Sequence, residues 1–276
     1  MPQNSIPAAQ AVKAQQLRFG APRPPATEVQ VAVEAPINIV YGNMPYAVMM
    51  ATPQDLEDFV AGFSLTEGIV QSVDEIRGIE VEPKEEGVIV TVDLAPGRFR
   101  EHLARRRNLS GRTSCGLCGV ETIEDLPMAG AMCRQAAPIS AEAIEAALAA
   151  LENQQPLSQL TKATHAAVWC DRSGAILTVR EDVGRHNALD KLIGARLRAG
   201  ADASEGFVLV TSRASFEMIE KAAIFGTGTL VSISGPTSLS IARAAALGLC
   251  LVSTARNGGC TVFTGALASE PTPATV

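Results

Sequence analysis

Three short apolar runs separated by helix-forming stretches constrain the fold of this chain more than any other feature. Residues 207–211, 230–234 and 249–253 predict buried strands, and the stretches at about 215–225 and 238–248 predict the two helices between them. Strands that alternate with helices imply parallel, right-handed crossovers. Upstream, a helix capped by Ser140 and a hairpin over residues 165–181 extend the pattern. The sequence therefore predicts a three-layer α/β C-terminal lobe over residues 140–265.

The preceding part of the chain predicts a different, mixed α+β lobe over residues 29–113. Residues 29–33, 37–41 and 46–50 predict antiparallel strands, and the pair Thr52-Pro53 predicts the start of a helix. A hairpin follows over residues 76–94, and the arginine-rich stretch after it predicts a further helix. Residues 1–28 and 266–276 carry little periodicity, which predicts a flexible leader and a flexible tail.

Polar turns should lie at one edge of the predicted C-terminal sheet, because ligands of open α/β sheets bind at the carboxyl ends of the strands. The turns 211–215 and 254–259 both contain an arginine, and the stretch 181–187 opens a helix with Arg185 and His186. Backbone N–H groups and a guanidinium suit phosphate groups. Each turn alone could be a simple helix cap, but together they favour an anion pocket.

Between the two lobes lies the thiol segment, residues 114–139, which begins with Ser-Cys-Gly-Leu-Cys-Gly. Cys115 and Cys118 are spaced to share a disulfide, to bind one metal ion, or to let one sulfur carry a group beside the other. Arginines at 98, 100, 105, 106, 107 and 112 precede them. Positive charge lowers the pKa of a thiol and favours the reactive thiolate, although such a run is also typical of a solvated helix face.

Composition narrows the class of protein. The formal net charge is −6, which disfavours a general nucleic-acid binder. No secretory signal or membrane-length apolar stretch is recognisable. Of the six cysteines only Cys115 and Cys118 are closely spaced, so the set does not resemble a disulfide framework. We therefore expect a cytoplasmic protein with reduced thiols that binds neither nucleic acid nor membrane.

Several long motifs in order resemble the formate dehydrogenase accessory sulfurtransferase family, FdhD/NarQ. The resemblance covers about residues 29–265 and rests on the stretches 62–68, 111–121, 164–167, 181–191 and 211–218. It implies a C-terminal lobe similar to the cytidine deaminase fold. It also implies a sulfur carrier that takes persulfide sulfur from a cysteine desulfurase. The sulfur would pass to the molybdenum bis(molybdopterin guanine dinucleotide) cofactor before the cofactor enters the formate dehydrogenase catalytic subunit.

The resemblance assigns roles to particular residues. Cys115 matches the persulfide carrier and Cys118 an auxiliary thiol, and the cofactor-binding segment matches Thr254, Ala255, Arg256, Asn257, Gly258 and Gly259. Asn257 differs from the family pattern, and Gly259 stands where relatives often have a basic residue. Arg185 and His186 form a further candidate anion site. The pocket would also accept a guanine nucleotide, and a homodimer would hold the two-pterin cofactor symmetrically.

Other functions remain open at the level of sequence. A thiol-disulfide oxidoreductase uses Cys-x-x-Cys, but there the motif opens a helix in a small βαβ domain. A zinc module or deaminase is disfavoured because no second Cys-x-x-Cys is present and no histidine begins a His-x-Glu motif. A non-catalytic molybdoenzyme chaperone is the remaining alternative. We expect no bound metal.

Overall fold

A computed structural model describes residues 6–98, 129–130, 137–256 and 258–268. Its strands are β1 (Ala9–Ala14), β2 (Thr27–Ala32), β3 (Ala35–Tyr41), β4 (Met44–Ala51), β5 (Ile76–Lys84), β6 (Gly87–Leu94), β7 (His165–Asp171), β8 (Ile176–Asp182), β9 (Gly206–Val210), β10 (Thr229–Ser232), β11 (Cys250–Arg256) and β12 (Gly259–Thr264). Its α-helices are α1 (Leu56–Thr66), α2 (Ala141–Leu151), α3 (Pro156–Thr161), α4 (Arg185–Arg198), α5 (Phe216–Phe225) and α6 (Ser238–Leu247). Short 3₁₀ turns cover Val73–Glu75 and Glu152–Gln154.

The C-terminal lobe is built on a six-stranded sheet in the order β12-β11-β10-β9-β7-β8. Strands β9, β10 and β11 are parallel, which confirms the prediction for the three apolar runs, whereas β7, β8 and β12 are joined by antiparallel pairing. Residues of α4, α5 and α6 pack on one face, and residues of α2 pack on the other. The lobe therefore has the three predicted layers.

Local sequence signals set the ends of these helices. Ser140 accepts a hydrogen bond from Ala143 N at the start of α2, as predicted. Thr237 and Ser240 form a reciprocal capping box at the start of α6. Gly226 and Gly248 end α5 and α6 in the left-handed conformation that favours glycine. The two glycines therefore mark where the chain leaves each helix for the next strand, and Thr237 marks where the turn after β10 passes into α6.

The N-terminal lobe is a four-stranded sheet, in the order β4-β3-β6-β5, with α1 packed against it. The antiparallel pairs β3–β4 and β5–β6 are present as predicted, and β3 also pairs in parallel with β6. The first predicted strand, β2, pairs instead with β1 in a separate two-stranded sheet. The predicted start of α1 is wrong. The helix begins at Leu56, after Asp55 in a left-handed conformation (φ 53°), and Thr52 does not cap it.

Thr52 instead links the two lobes. Its backbone N–H donates to Asp182 Oδ2 over 2.9 Å, and its carbonyl accepts from Lys191 Nζ at the same distance. Asp182 and Lys191 form an ion pair of 2.7 Å between fully buried side chains. Buried charges are tolerated where they are paired and hydrogen-bonded, so this contact depends on a well-defined arrangement of the lobes.

The helices α1 and α4 cross at two glycines. A Cβ on Gly62 would lie well under 3.0 Å from the carbonyl oxygen of Asp190, and one on Gly194 would meet that of Asp58 in the same way. The contacts are with backbone, which cannot rotate away. The absence of side chains at these two positions therefore allows the helices to pack.

Three other expectations differ from the structure or lie beyond it. The leader was predicted to lack regular structure, but β1 pairs with β2 along its whole length. The first residues of the expected tail pack back on the lobe, with Ala268 N donating to Ile139 O over 2.9 Å. Beyond Arg98, the helix predicted for the arginine-rich stretch lies outside the described residues.

Candidate functional site

A cavity of about 590 Å³ lies between α2 and the hairpin of β11 and β12. On the α2 side it is lined by Glu142, Glu145 and Leu148, and Ile233 contributes from the end of β10. The hairpin side is lined by Ala255, Arg256, Gly258, Gly259 and Cys260. Ligand pockets commonly have volumes of about 300–1,000 Å³, so this cavity is large enough for a nucleotide.

The predicted cofactor-binding segment has a different conformation from the one expected. The sequence predicts a polar turn after a strand that ends at residue 253, whereas β11 continues to Arg256 and reverses into β12 at Gly259. Irregular pairing between Ser253 and Arg256 bends the strand. The sequence pattern missed this extension because residues 254–259 are polar and glycine-rich, and edge hairpins with bulges have no clear period.

The hairpin contains a backbone conformation that is unfavourable for its residue. Thr254 has φ 55°, a conformation that β-branched residues rarely adopt. Its amide donates to Ser234 O over 3.2 Å, and its hydroxyl lies 3.0 Å from Thr261 Oγ1. Strain of about 1–3 kcal/mol at such a residue persists where neighbours fix it, and functional sites are common places for it.

Four of the six predicted cofactor residues line the cavity: Ala255, Arg256, Gly258 and Gly259. The side chain of Ala255 is buried against the sheet, and Arg256 is exposed. Thr254 shapes the bulge without lining the cavity, and Asn257 lies outside the described residues. Most of the segment is therefore brought together on one wall.

The cysteines fall into three groups. Cys115, Cys118 and Cys133 lie outside the described residues. Burial raises the pKa of Cys170 to about 12 and also raises the pKa of Cys250, so both are poor nucleophiles. Cys260 is an exposed free thiol on the cavity wall.

The chain is fixed to the described fold at two places, at Arg98 before the thiol segment and at Ala129 within it. Arg98, before it, donates to Ile69 O over 2.8 Å and lies 3.3 Å from Glu75. Within it, the backbone of Ala129 is held between α5 and α6. Its N–H donates to Glu220 Oε2 over 2.5 Å, and its carbonyl accepts from Arg243 Nη2 over 3.0 Å. Glu220 and Arg243 also form an ion pair with each other.

Arg185 and His186 begin α4, at the predicted edge of the sheet but not in the cavity. Arg185 Nε and His186 Nε2 are buried and have no hydrogen-bond partner in the described part of the chain. His186 Nε2 lies 3.9 Å from Glu217 of α5, and this neighbouring imidazole holds the pKa of Glu217 well below its ordinary value. The two predicted anion sites are therefore separate.

His165, on β7, lies within the electrostatic influence of the Arg185 site. Burial lowers the pKa of His165, and the positive charges of Arg185 and His186 lower it further, while Asp182 opposes them. We expect the substitution Arg185→Gln to raise the pKa of His165, because one like charge is removed from beside the imidazolium. An NMR titration of the imidazole signals measures this shift.

The same shift has a consequence for stability. A folded-state pKa below the unfolded value means that the unfolded chain binds more protons, so stability decreases as the pH falls through about 6.5. The decrease should be smaller in the Arg185→Gln variant. Arg172→Gln, at the exposed turn between β7 and β8, is the matched control and should change neither quantity. An unchanged His165 titration in Arg185→Gln would show that the two side chains do not interact.

Neither a metal-binding cluster nor a membrane-spanning helix is found in the described part of the chain. The described His, Cys, Asp and Glu residues form no group of three that could hold a metal ion. Among the described helices, none is both long and apolar enough to cross a bilayer.

The fold and the cavity define a two-lobed protein of helices and sheets with a cleft at the edge of its larger sheet. The chain belongs to the FdhD/NarQ family, because the model of that family matches residues 32–268. The "Sulfur carrier protein FdhD" of Xanthomonas euvesicatoria pv. vesicatoria is 49% identical over 233 residues, which are 84% of this chain and 83% of that protein.

Two further comparisons agree with this assignment. A protein of the same name from Cupriavidus necator is 46% identical over 234 residues, covering 85% of this chain and 81% of that one. A crystal structure of a formate dehydrogenase accessory protein from Desulfotalea psychrophila superposes with a TM-score of 0.72 at 25% identity, covering 94% of this chain and 98% of that one. The likeness to the cytidine deaminase fold stays a prediction.

Proposed function

We propose that this protein is a sulfur carrier that supports the maturation of formate dehydrogenase. The observation that carries the proposal is family membership over nearly the whole chain, with relatives of almost half identity that are named sulfur carriers. The Cys115-Gly-Leu-Cys118 motif supplies the sulfur chemistry, and the cavity beside Arg256 supplies a place for the acceptor.

Cys115 carries the sulfur as a persulfide in this proposal. Its thiolate attacks the terminal sulfur of a donor persulfide, so the donor's S–S bond breaks, a new S–S bond forms on Cys115, and the donor cysteine leaves as a thiolate. The rate of such a step depends on the thiolate fraction and on access. Arg112 lies three residues before Cys115 and Gly116 directly follows it, which favours both. Cys118 acts as an auxiliary thiol.

The acceptor is the molybdenum bis(molybdopterin guanine dinucleotide) cofactor, bound as a substrate. The residues of the cavity fit its guanine nucleotide end. Arg256 offers a guanidinium, the Gly258 and Gly259 backbone has no side chain to obstruct close approach, and apolar side chains from α2 and β10 cover the inner surface. A free guanine nucleotide would occupy the same pocket.

Arg185 and His186 offer a second anion contact. Arg185 Nε and His186 Nε2 are buried and make no hydrogen bond with the described residues, and His186 Nε2 has only the 3.9 Å ion-pair contact with Glu217. These nitrogen atoms are the support for this proposal, since buried polar atoms are ordinarily hydrogen-bonded. A phosphate or another anionic group of the cofactor would supply the missing acceptor. Glu217, which carries the same charge as such a ligand, is already attracted to His186.

The proposal implies particular partners. A cysteine desulfurase donates the sulfur, and the formate dehydrogenase catalytic subunit receives the cofactor. We further propose that the protein acts in the cytoplasm as a homodimer, in which each protomer holds one guanine nucleotide of the two-pterin cofactor.

Radioactive sulfur transfer tests the proposal directly. The purified protein is incubated with a cysteine desulfurase and labelled cysteine, and the label is mapped by peptide. Label on the peptide with Cys115 that a thiol reductant releases is the expected result. A thiol-disulfide oxidoreductase would instead cycle a Cys115–Cys118 disulfide, and a non-catalytic chaperone would acquire no label.

Cys260 provides a probe of the cavity. Its exposed thiol on the cavity wall should react with iodoacetamide in the native protein, and bound guanosine diphosphate should block access. With the nucleotide at ten times its dissociation constant, we expect alkylation of Cys260 to slow by about tenfold, because about one site in eleven is then free. Peptide mass spectrometry measures the rate at each cysteine.

The buried thiols supply the control for this probe. Cys170 and Cys250 should remain unmodified with or without nucleotide, because both are buried. Equal alkylation of Cys260 at saturating nucleotide would place the nucleotide elsewhere and count against the proposed pocket.

A further inference from the structure

The two walls of the cavity carry opposite charge. Glu142 and Glu145 project from α2 on one side, and Arg256 lies on the hairpin opposite. Ile144, Leu148, Ile233 and Ala255 supply apolar surface in the same cavity. A ligand that fits this arrangement has an anionic end, a flat apolar middle and hydrogen-bond donors at the far end.

Helix geometry places the two carboxylates on one face. Residues three or four positions apart are neighbours on a helix surface, and Glu142, Glu145 and Ala149 follow this spacing toward the cavity. Ile144 and Leu148 follow it beside them, and Ile144 is buried in the core under α2. The acidic side chains therefore stand at the rim above an apolar base.

The position of Glu145 is not explained by local structure. A glutamate in the first turn of a helix is stabilised by the helix dipole, and Glu142 occupies such a position. Glu145 lies beyond the first turn and is exposed. It forms no hydrogen bond or ion pair with the part of the chain that the structure describes. Its carboxylate is available to a ligand in the cavity.

We propose that Glu145, assisted by Glu142, makes this cavity selective for guanine over adenine. The inference rests on the proposed function, in which the cavity holds the nucleotide end of the cofactor. Guanine presents two adjacent N–H donors, at N1 and the exocyclic amine, which match the two acceptor oxygens of a carboxylate. Adenine presents an unprotonated N1 at the same edge, and a carboxylate repels it.

The opposite wall fixes the orientation of the nucleotide. The phosphates lie toward Arg256 and the glycine backbone, because a guanidinium and exposed N–H groups bind phosphate oxygens. The purine lies across the apolar surface between the walls. This arrangement keeps the phosphates away from Glu142 and Glu145 and brings the base edge to them.

Calorimetric titration of the full chain with guanosine, inosine and adenosine diphosphate tests the inference. Inosine lacks the exocyclic amine, so it loses one of the two proposed hydrogen bonds. We expect guanosine diphosphate to bind about tenfold or more tightly than inosine diphosphate, and adenosine diphosphate to bind most weakly, since a site that hydrogen-bonds a donor rejects analogues without it.

Variants separate base recognition from phosphate binding. Glu145→Gln should weaken the binding of guanosine diphosphate by about tenfold, because a charged acceptor is lost. It should not weaken the binding of adenosine diphosphate and should instead strengthen it, because the repulsion of adenine N1 is lost with the carboxylate. Glu142→Gln should have a smaller effect in the same direction. Arg256→Ala should weaken the binding of all three nucleotides to the same degree, because all three carry the same phosphates. Glu152→Gln, an exposed carboxylate just beyond α2 that does not line the cavity, is the matched control and should change nothing.

The outcomes distinguish this inference from the proposed function. Equal affinity for the three nucleotides, or unchanged binding in both Glu145→Gln and the variant with both glutamates replaced, overturns the inference and leaves the proposed pocket intact. Failure of all three nucleotides to bind counts against the pocket itself and therefore against both. Selective loss of guanosine diphosphate in Glu145→Gln supports both.

Discussion

Replacing Cys115 with serine should abolish the maturation of formate dehydrogenase. A hydroxyl oxygen cannot form a persulfide, so sulfur transfer has no carrier even though the fold is unchanged. In cells that lack their own copy of this protein, the Cys115→Ser variant should leave formate dehydrogenase activity at the level of the empty vector. The purified variant should show no mass increase of one sulfur atom at this peptide after incubation with a desulfurase.

Two matched variants make the result specific. Cys118→Ser should lower activity without abolishing it, because the neighbouring thiol is proposed to be auxiliary. Cys260→Ser removes an exposed thiol from the cavity wall and should retain most of the activity. Normal maturation with Cys115→Ser would refute the carrier role and favour a non-catalytic chaperone.

Replacing Gly62 with alanine should cause a large loss of stability. The new methyl group would overlap the carbonyl of Asp190 on the neighbouring helix, so α1 and α4 must separate. Overpacking a close contact costs typically about 1–3 kcal/mol, and we expect the upper end of that range here because backbone meets backbone. Urea unfolding followed by circular dichroism measures the change.

Gly78→Ala is the matched control for this prediction. Gly78 lies on the exposed surface of β5, and no heavy atom would lie within 4 Å of an added Cβ. Its unfolding midpoint should stay close to that of the unaltered protein. If Gly62→Ala unfolded at the same urea concentration as Gly78→Ala, the close crossing of α1 and α4 would be wrong.

Much of the C-terminal lobe could be predicted because its signals are local. Apolar runs of strand length, Ser140 as a cap and glycines after α5 and α6 each specify their own segment. The role of Thr52 could not be found in this way. A threonine before a proline looks like a helix cap, whereas its observed partners, Asp182 and Lys191, are more than one hundred residues away in sequence.

Only the part of the candidate site that has a local sequence signal could be predicted. The segment 254–259 was identified by its polar and glycine-rich character, but the opposite wall was not. Glu145 lies on a helix whose pattern predicts a solvated outer face, and a single sequence does not show which outer faces border a cavity. Cys260 was missed because an isolated cysteine, in sequence alone, is most simply a small core residue.

The attachment of Ala129 to Glu220 and Arg243 has a consequence for kinetics. Cys115 lies fourteen residues before this anchor, so the chain allows its sulfur to travel at most about 50 Å from it. For a target within that reach, a covalent link of this length gives an effective concentration on the order of millimolar. Delivery from Cys115 to a ligand on the same chain is therefore expected to be first-order and insensitive to dilution, whereas loading by a separate donor protein depends on how often the two molecules meet.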